Sequence, residues 1–374
     1  MPVTLLAERV GVPDWARFFL SVCAVVPLAG LIGSATEALA GRIGARAGGL
    51  LNATFGNSPD LLIGVFGVQR NLIPLVKATL IGALISNSAL IMGLCCIIAG
   101  LLYRRPTFRR SEAGHHSVLM MLTLAAVVFP SVGSLVLCGG PGCAKPEQTA
   151  EIQNVSTGIA VALLIAYVAY VLFGIFGLES VRDRHREGRE EIPVRKRAEM
   201  GGKTGWPLWL SIGLLGGATA LLIPVIDVLT GTVQETTKAL GWTEVFVGII
   251  VVANAGNVAE GYAALKSAWQ LQGTSDAGEE ADTGLDLALG IASASSIQIA
   301  TFVAPLIVLY SLFARPMNLV FSPVELAILA LLVLLFAHIA HDGESNWLEG
   351  AELVVLYAMA AVIFFVLPVS VFGG

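Results

Sequence analysis

Gly56-Asn57-Ser58-Pro59-Asp60 and, 200 residues on, Gly256-Asn257-Val258-Ala259-Glu260 are the stretches whose reading decides the fold. Each lies in a run of Leu, Ile, Val, Ala and Gly long enough to cross a bilayer. An ionisable side chain at membrane depth is costly and persists mainly where it handles ions or protons. Two such acids at matching places in two halves of one chain predict a duplicated transporter with a shared cation site.

The composition agrees. Of 374 residues 56% are hydrophobic and only 13% charged, about half the charged share of a soluble protein, so an integral membrane protein in a lipid bilayer is expected. The 41 glycines suit close packing of transmembrane helices. A net charge of −5 gives no reason to expect nucleic acid as a partner. Glu8, Arg9 and Asp14 ahead of the first apolar run argue against a cleaved leader.

Runs of about 20 apolar residues mark spans. Ten are expected, near 18–40, 47–69, 74–102, 116–138, 155–178, 207–231, 243–266, 284–313, 323–341 and 349–371. All six tryptophans fall at or just beyond span ends, as interfacial anchors do. Fifteen of the 22 Lys and Arg residues lie in the loops after helices 1, 3, 5, 7 and 9. The positive-inside rule makes those loops cytoplasmic and both termini non-cytoplasmic. The same orientation puts the Cys138–Cys143 loop in a compartment that permits a disulfide. Cys23, Cys95 and Cys96 read as packing residues.

The expected fold is therefore an all-α polytopic membrane protein of ten transmembrane helices in two five-helix repeats. Residues 1–178 form the first repeat, 179–206 a charged cytoplasmic linker and 207–374 the second repeat. Five is odd, so the second repeat enters the membrane upside down, and the inverted pair offers alternating access. The 270–283 loop, acidic and Gly-rich, could collect cations electrostatically, but a disordered connector is the favoured reading.

The repeats match beyond the acids. Leu80-Ile81-Gly82 faces Ala288-Leu289-Gly290, with Ser86-Asn87 following in one half and Ser295-Ser296 plus Gln298 in the other. Hard cations such as Ca2+ want several oxygen ligands, some anionic. Asp60 and Glu260 supply the charge; Asn57, Asn257, Asn87, Ser86, Ser295, Ser296 and Gln298 supply neutral oxygens. Gly56, Pro59 and Gly256 are expected to break the helices and free backbone carbonyls. With the metal gone, protons would occupy the same carboxylates, which is antiport without further machinery. Glu37 reads equally as a proton or cation relay and as an interfacial acid. Asp227 and Glu235 rank lower, and Glu325 and Glu349 read as helix-start acids.

These residues resemble the cation/proton exchanger (CAX) branch of the calcium/cation antiporter superfamily, from about Thr36 to Pro368. Ala35-Thr36-Glu37, the run Gly48 to Asn57 and Ser86-Asn87 look like the first repeat motif. Glu244 to Gly248, Gly256 to Glu260 and Ser295 to Ile299 look like the second, and Asp342 to Gly350 is similar to the segment before the last helix. The resemblance implies an inverted-repeat exchanger that moves Ca2+, sometimes other divalent ions, out of the cytosol against protons. It implies no enzyme activity and no organic cofactor. Three positions depart from the family pattern: Asp60 stands for Glu, retracting the carboxylate by roughly 1.5 Å; Pro59 stands for Thr or a small residue; Gly261-Tyr262 stands where His is usual.

A sodium-coupled calcium exchanger with the same site, and a passive cation channel, are the competing readings. An intramembrane hydrolase is disfavoured, since His338 and His341 have metal-like spacing but lack the surrounding motifs. Host membrane (a bacterial plasma membrane is favoured, a vacuolar one allowed) and oligomeric state, a homo-oligomer included, are left open.

Overall fold

The computed structural model describes residues 11–43, 51, 54–103, 106–108, 110–139, 143, 145–176, 206–272 and 282–367. Nearly all of the expected linker, the middle of the 270–283 connector and part of the first repeat motif, at 44–50 and 52–53, lie outside the described residues. Eleven helices are described: α1 Asp14–Ile43, α2 Ser58–Gln69, α3 Ile73–Tyr103, α4 Arg110–Cys138, α5 Pro146–Phe176, α6 Leu208–Leu240, α7 Glu244–Gly256, α8 Val258–Trp269, α9 Leu285–Ser311, α10 Pro323–Asp342 and α11 Trp347–Val366. Among the described residues, eight helices are long and apolar enough to cross a membrane, and the bent pair α7–α8 makes a ninth. The span expected over 47–69 is described as α2 and the helical residues 54–55 before its break.

Three helix limits differ from expectation for one reason. α4 and α5 begin at Arg110 and Pro146, and α6 runs on to Leu240. A hydropathy reading stops where side chains turn polar, whereas the helix continues until something ends it. Here that is Gly241, in the left-handed region at φ 68°. The connector after α8 is not wholly irregular: Leu271–Gln272 (β1) pairs antiparallel with Asp282–Thr283 (β2).

α1 and α6 lie side by side through matching stripes. Phe18, Ser21, Val25, Leu28, Ile32, Ala35 and Leu39 recur every three or four residues on α1, and Leu215, Ala218, Leu222, Val225, Leu229 and Val233 on α6. Their apolar members form one core cluster, separate from the larger one built on α3, α4, α8, α9, α10 and α11. Lipid tails are as apolar as these side chains, so close packing, rather than escape from water, selects the partner. Glycine sets that closeness on α3. A Cβ at Gly82 would strike the Ile249 backbone, one at Gly248 would stand 2.7 Å from Ala78 Cβ, and Gly93 and Gly350 face each other across α3 and α11.

Polar straps fix the rest. Lys77 Nζ donates to Asn318 Oδ1 (2.7 Å) and the Val320 carbonyl (2.8 Å), tying α3 to the α9–α10 connector. Ser322 and Glu325 form a reciprocal cap on α10, and Asn346 caps α11 beside Glu349. Cys138 and Cys143 are joined as a disulfide. Cys95 and Cys96 are buried, but Cys23 is exposed: its place on α1 lies off the stripe that meets α6, so it does no interior packing.

Candidate functional site

Both acidic stretches fold as helix breaks. Asn57 (φ −85°, ψ 10°) and Asn257 (φ −90°, ψ 6°) leave the helical region in nearly the same way, and each is followed at once by a new helix. At the second break α7 turns into α8 through 62°. Asp60 and Glu260 thus stand in the first turns of α2 and α8, where unpaired N–H groups carry the positive end of the helix dipole. Pro59 falls at the start of α2, where its missing N–H costs no helical bond.

The breaks meet. A Cβ at Gly256 would lie 2.8 Å from Asp60 Oδ1, so the first acid rests on the glycine one turn before the second. Asp60, Asn57 and Asn257 are buried and Glu260 is half-buried. α3 and α9 close the site. Asn57 Nδ2 donates to Gln298 Oε1 (2.8 Å), Asn87 Nδ2 to Ser295 Oγ (2.9 Å), and Ser86 Oγ to Asn254 Oδ1 (2.6 Å). The Ser88 and Ser296 hydroxyls are 3.3 Å apart. α3 is π-helical over Ser86–Ile91 and α9 over Ile299–Val303; such wide turns often mark functional sites.

The direction of these bonds decides what the site can hold. Asn57, Asn87 and Ser86 spend protons on neighbouring side chains, and several oxygens of the site are left over. Among the described residues, Asp60 Oδ1, Asn87 Oδ1 and Glu260 Oε2 are buried with no hydrogen-bond partner. Leaving such groups unmet costs about 1–3 kcal/mol each, more for charged ones, which makes a cation or protons the fitting complement. Asn257 Nδ2 is likewise unmet, and half a turn of its amide would offer oxygen instead. Among the described residues no group of three or more His, Cys, Asp or Glu could hold a metal. Two carboxylates with neutral oxygens suit a hard divalent ion rather than zinc.

Of the residues named from the two motifs and the following helices, the structure joins Asn57 to Gln298 and Asn87 to Ser295, ties Ser86 to Asn254 and Ser296 to Ser88, and sets Asp60 against Gly256, which precedes Asn257 and lies one turn before Glu260. Glu37 is in none of these pairs. It is exposed on α1, one turn beyond Gly33, the residue whose Cβ would lie 3.8 Å from Ala259. Asp227 pairs with Arg70 (2.5 Å) and Glu235 with Lys238 (2.8 Å). His338 and His341 are exposed. The sequence reading missed Asn254, Ser88 and Tyr357, whose hydroxyl accepts from Asn254 Nδ2 at 2.7 Å. Asn254 had one available signal: a polar residue three before Asn257 in an otherwise apolar run.

A multi-pass helical protein in which the carboxylate of one helix break rests on the glycine of a second, acid-bearing break has the build of a secondary transporter. The chain belongs to the sodium/calcium exchanger protein family, whose model matches residues 14–176 and 210–366. It is 34% identical over 381 residues to the Ca2+/H+ antiporter of Synechocystis sp., covering 99% of this chain and 96% of that protein. To the Ca2+/H+ antiporter ChaA of Bacillus subtilis it is 33% identical over 369 residues, covering 98% and 97%. The solved structure of native YfkE superposes with a TM-score of 0.77 at 32% identity, covering 98% of this chain and 97% of that one.

Proposed function

We infer that the chain is a Ca2+/H+ antiporter, and that Asp60 and Glu260 carry the exchange. The observation that bears most weight is the buried, unpartnered Asp60 oxygen resting on Gly256 of the opposite break. The full-length likeness to two Ca2+/H+ antiporters supports protons rather than sodium as the driving ion.

In this reading Ca2+ is the transported substrate, bound by Asp60, Glu260, Asn87 and Ser86, with Asn57, Asn257, Ser295, Ser296 and Gln298 completing or orienting the oxygen set. Two carboxylates need two positive charges in either state, so protons replace Ca2+ on the same oxygens and the carrier returns neutral. Ten helices in two inverted halves, 1–178 and 207–374 joined by 179–206, place the site between halves that rock against each other. The termini and the Cys138–Cys143 loop face away from the cytoplasm, and Glu37 serves the cytoplasmic approach.

The test is Ca2+ uptake into proteoliposomes under an imposed pH gradient, with wild type and Asp60→Asn. Proton-driven uptake that the variant loses is the expected result. Uptake that follows a sodium gradient and ignores pH would replace the reading by sodium coupling, and flux indifferent to any opposing gradient would make the protein a channel.

A further inference from the structure

The hydroxyl that α3 brings to the site is held by the other half of the chain, and that holder is itself held by α11. Ser86 Oγ donates to Asn254 Oδ1 at 2.6 Å. Asn254 Nδ2 donates to the Ile250 carbonyl and to the Tyr357 hydroxyl oxygen, each at 2.7 Å. A backbone carbonyl only accepts, so the amide is fixed with nitrogen toward Ile250 and oxygen toward Ser86. A serine hydroxyl has one proton. With that proton on Asn254, Ser86 can show only lone pairs to any further partner.

Tyr357 is delivered by packing. Gly350, Leu353, Ala360 and Phe364 are buried on α11 at helical spacing, and Tyr357 is seven residues from Gly350 on that same face. Gly350 meets Gly93 of α3 so closely that a Cβ there would lie 2.5 Å from the Gly93 carbonyl oxygen. α11 is thereby pressed to the helix that carries Ser86, and the tyrosine arrives at Asn254.

We propose that Asn254 and Tyr357 are positioning residues for the transported divalent cation: they turn Ser86 into an obligate oxygen acceptor and so raise the affinity of the site. Neither needs to touch the ion. The inference rests on the Ca2+/H+ reading above and deepens it.

Tyr357→Phe removes one hydroxyl and keeps the ring in the stripe. In proteoliposomes it raises the apparent KM for Ca2+ about three- to ten-fold, the range of one net hydrogen bond, with the maximal rate falling less than two-fold. Asn254→Ala raises KM further, and adding Tyr357→Phe to it changes nothing more, since the tyrosine acts through the asparagine. Ser86→Ala and Ser86→Ala/Tyr357→Phe likewise share one KM; this pair carries the test if Asn254→Ala does not fold. A wild-type KM in Tyr357→Phe, or independent effects in either double variant, overturns the proposal. Failure of the wild type to move Ca2+ under a pH gradient would instead overturn the function on which it rests.

Discussion

Asp60 and Gly256 occupy one volume between them: the first atom of any side chain at 256 would stand 2.8 Å from Asp60 Oδ1. Gly256→Ala must therefore displace the carboxylate or the break. Overpacking of this kind costs about 1–3 kcal/mol, so the apparent KM for Ca2+ rises about ten-fold or more while the protein still folds. Uptake kinetics read beside a thermal melt check this; unchanged KM would place the transported ion elsewhere.

Competition between Ca2+ and protons for the same oxygens has a definite sign. Acidifying the side from which Ca2+ is taken fills the carboxylates with protons, so affinity falls as pH falls. The limit is about ten-fold per pH unit for each proton displaced. Calorimetric titration with Ca2+ across a pH series measures the slope. Glu260→Gln removes one of the two proton acceptors and should make the slope shallower; an unaltered slope would take Glu260 out of the exchange.

Gly93→Ala tests how α11 is seated. The added methyl would lie 2.7 Å from the Gly350 carbonyl oxygen, and backbone cannot yield as a side-chain end can. A loss of about 1–3 kcal/mol is expected, visible as a lowered Tm in detergent. Gly290→Ala, on the other hand, meets nothing within 4 Å and should melt like wild type.

The Arg70–Asp227 pair looks strong at 2.5 Å, yet its side chains are 39% and 48% exposed. Exposed pairs contribute about 0.2–1 kcal/mol. Asp227→Asn should therefore shift Tm little. Lys77→Met should shift it more, because Nζ bonds two oxygens in a part-buried strap; its loss takes that donor from the Val320 carbonyl, at about 1–3 kcal/mol for an unmet buried group, while Asn318 Oδ1 keeps the Val320 N–H.

Much of the site was legible because membrane depth makes polarity conspicuous. Asp60, Glu260 and the asparagines before them stand out in apolar runs, and glycine before asparagine marks a break. Three of the conspicuous residues, Asp60, Asn87 and Glu260, have buried oxygens with no hydrogen-bond partner. Tyr357 was not legible, because a tyrosine at helical spacing among Gly350, Leu353 and Ala360 reads as core. Its role depends on a bond to a residue 103 positions away, which periodicity within one helix does not encode. Helix limits were misread at α4, α5 and α6, where polar turns continue the helix beyond its apolar part.

The side-chain bonds around the acids have a consequence for how the molecule is made. Asn57–Gln298, Asn87–Ser295, Ser88–Ser296 and Ser86–Asn254 each join an early residue to one at least 168 positions later. A ribosome therefore delivers α2 and α3 to the membrane while their mates are still unwritten. Until α7 and α9 arrive, Asp60 and Asn87 need water, a lipid headgroup or the insertion machinery as interim company. The two halves expressed as separate chains should then be unstable alone and protect each other when produced together.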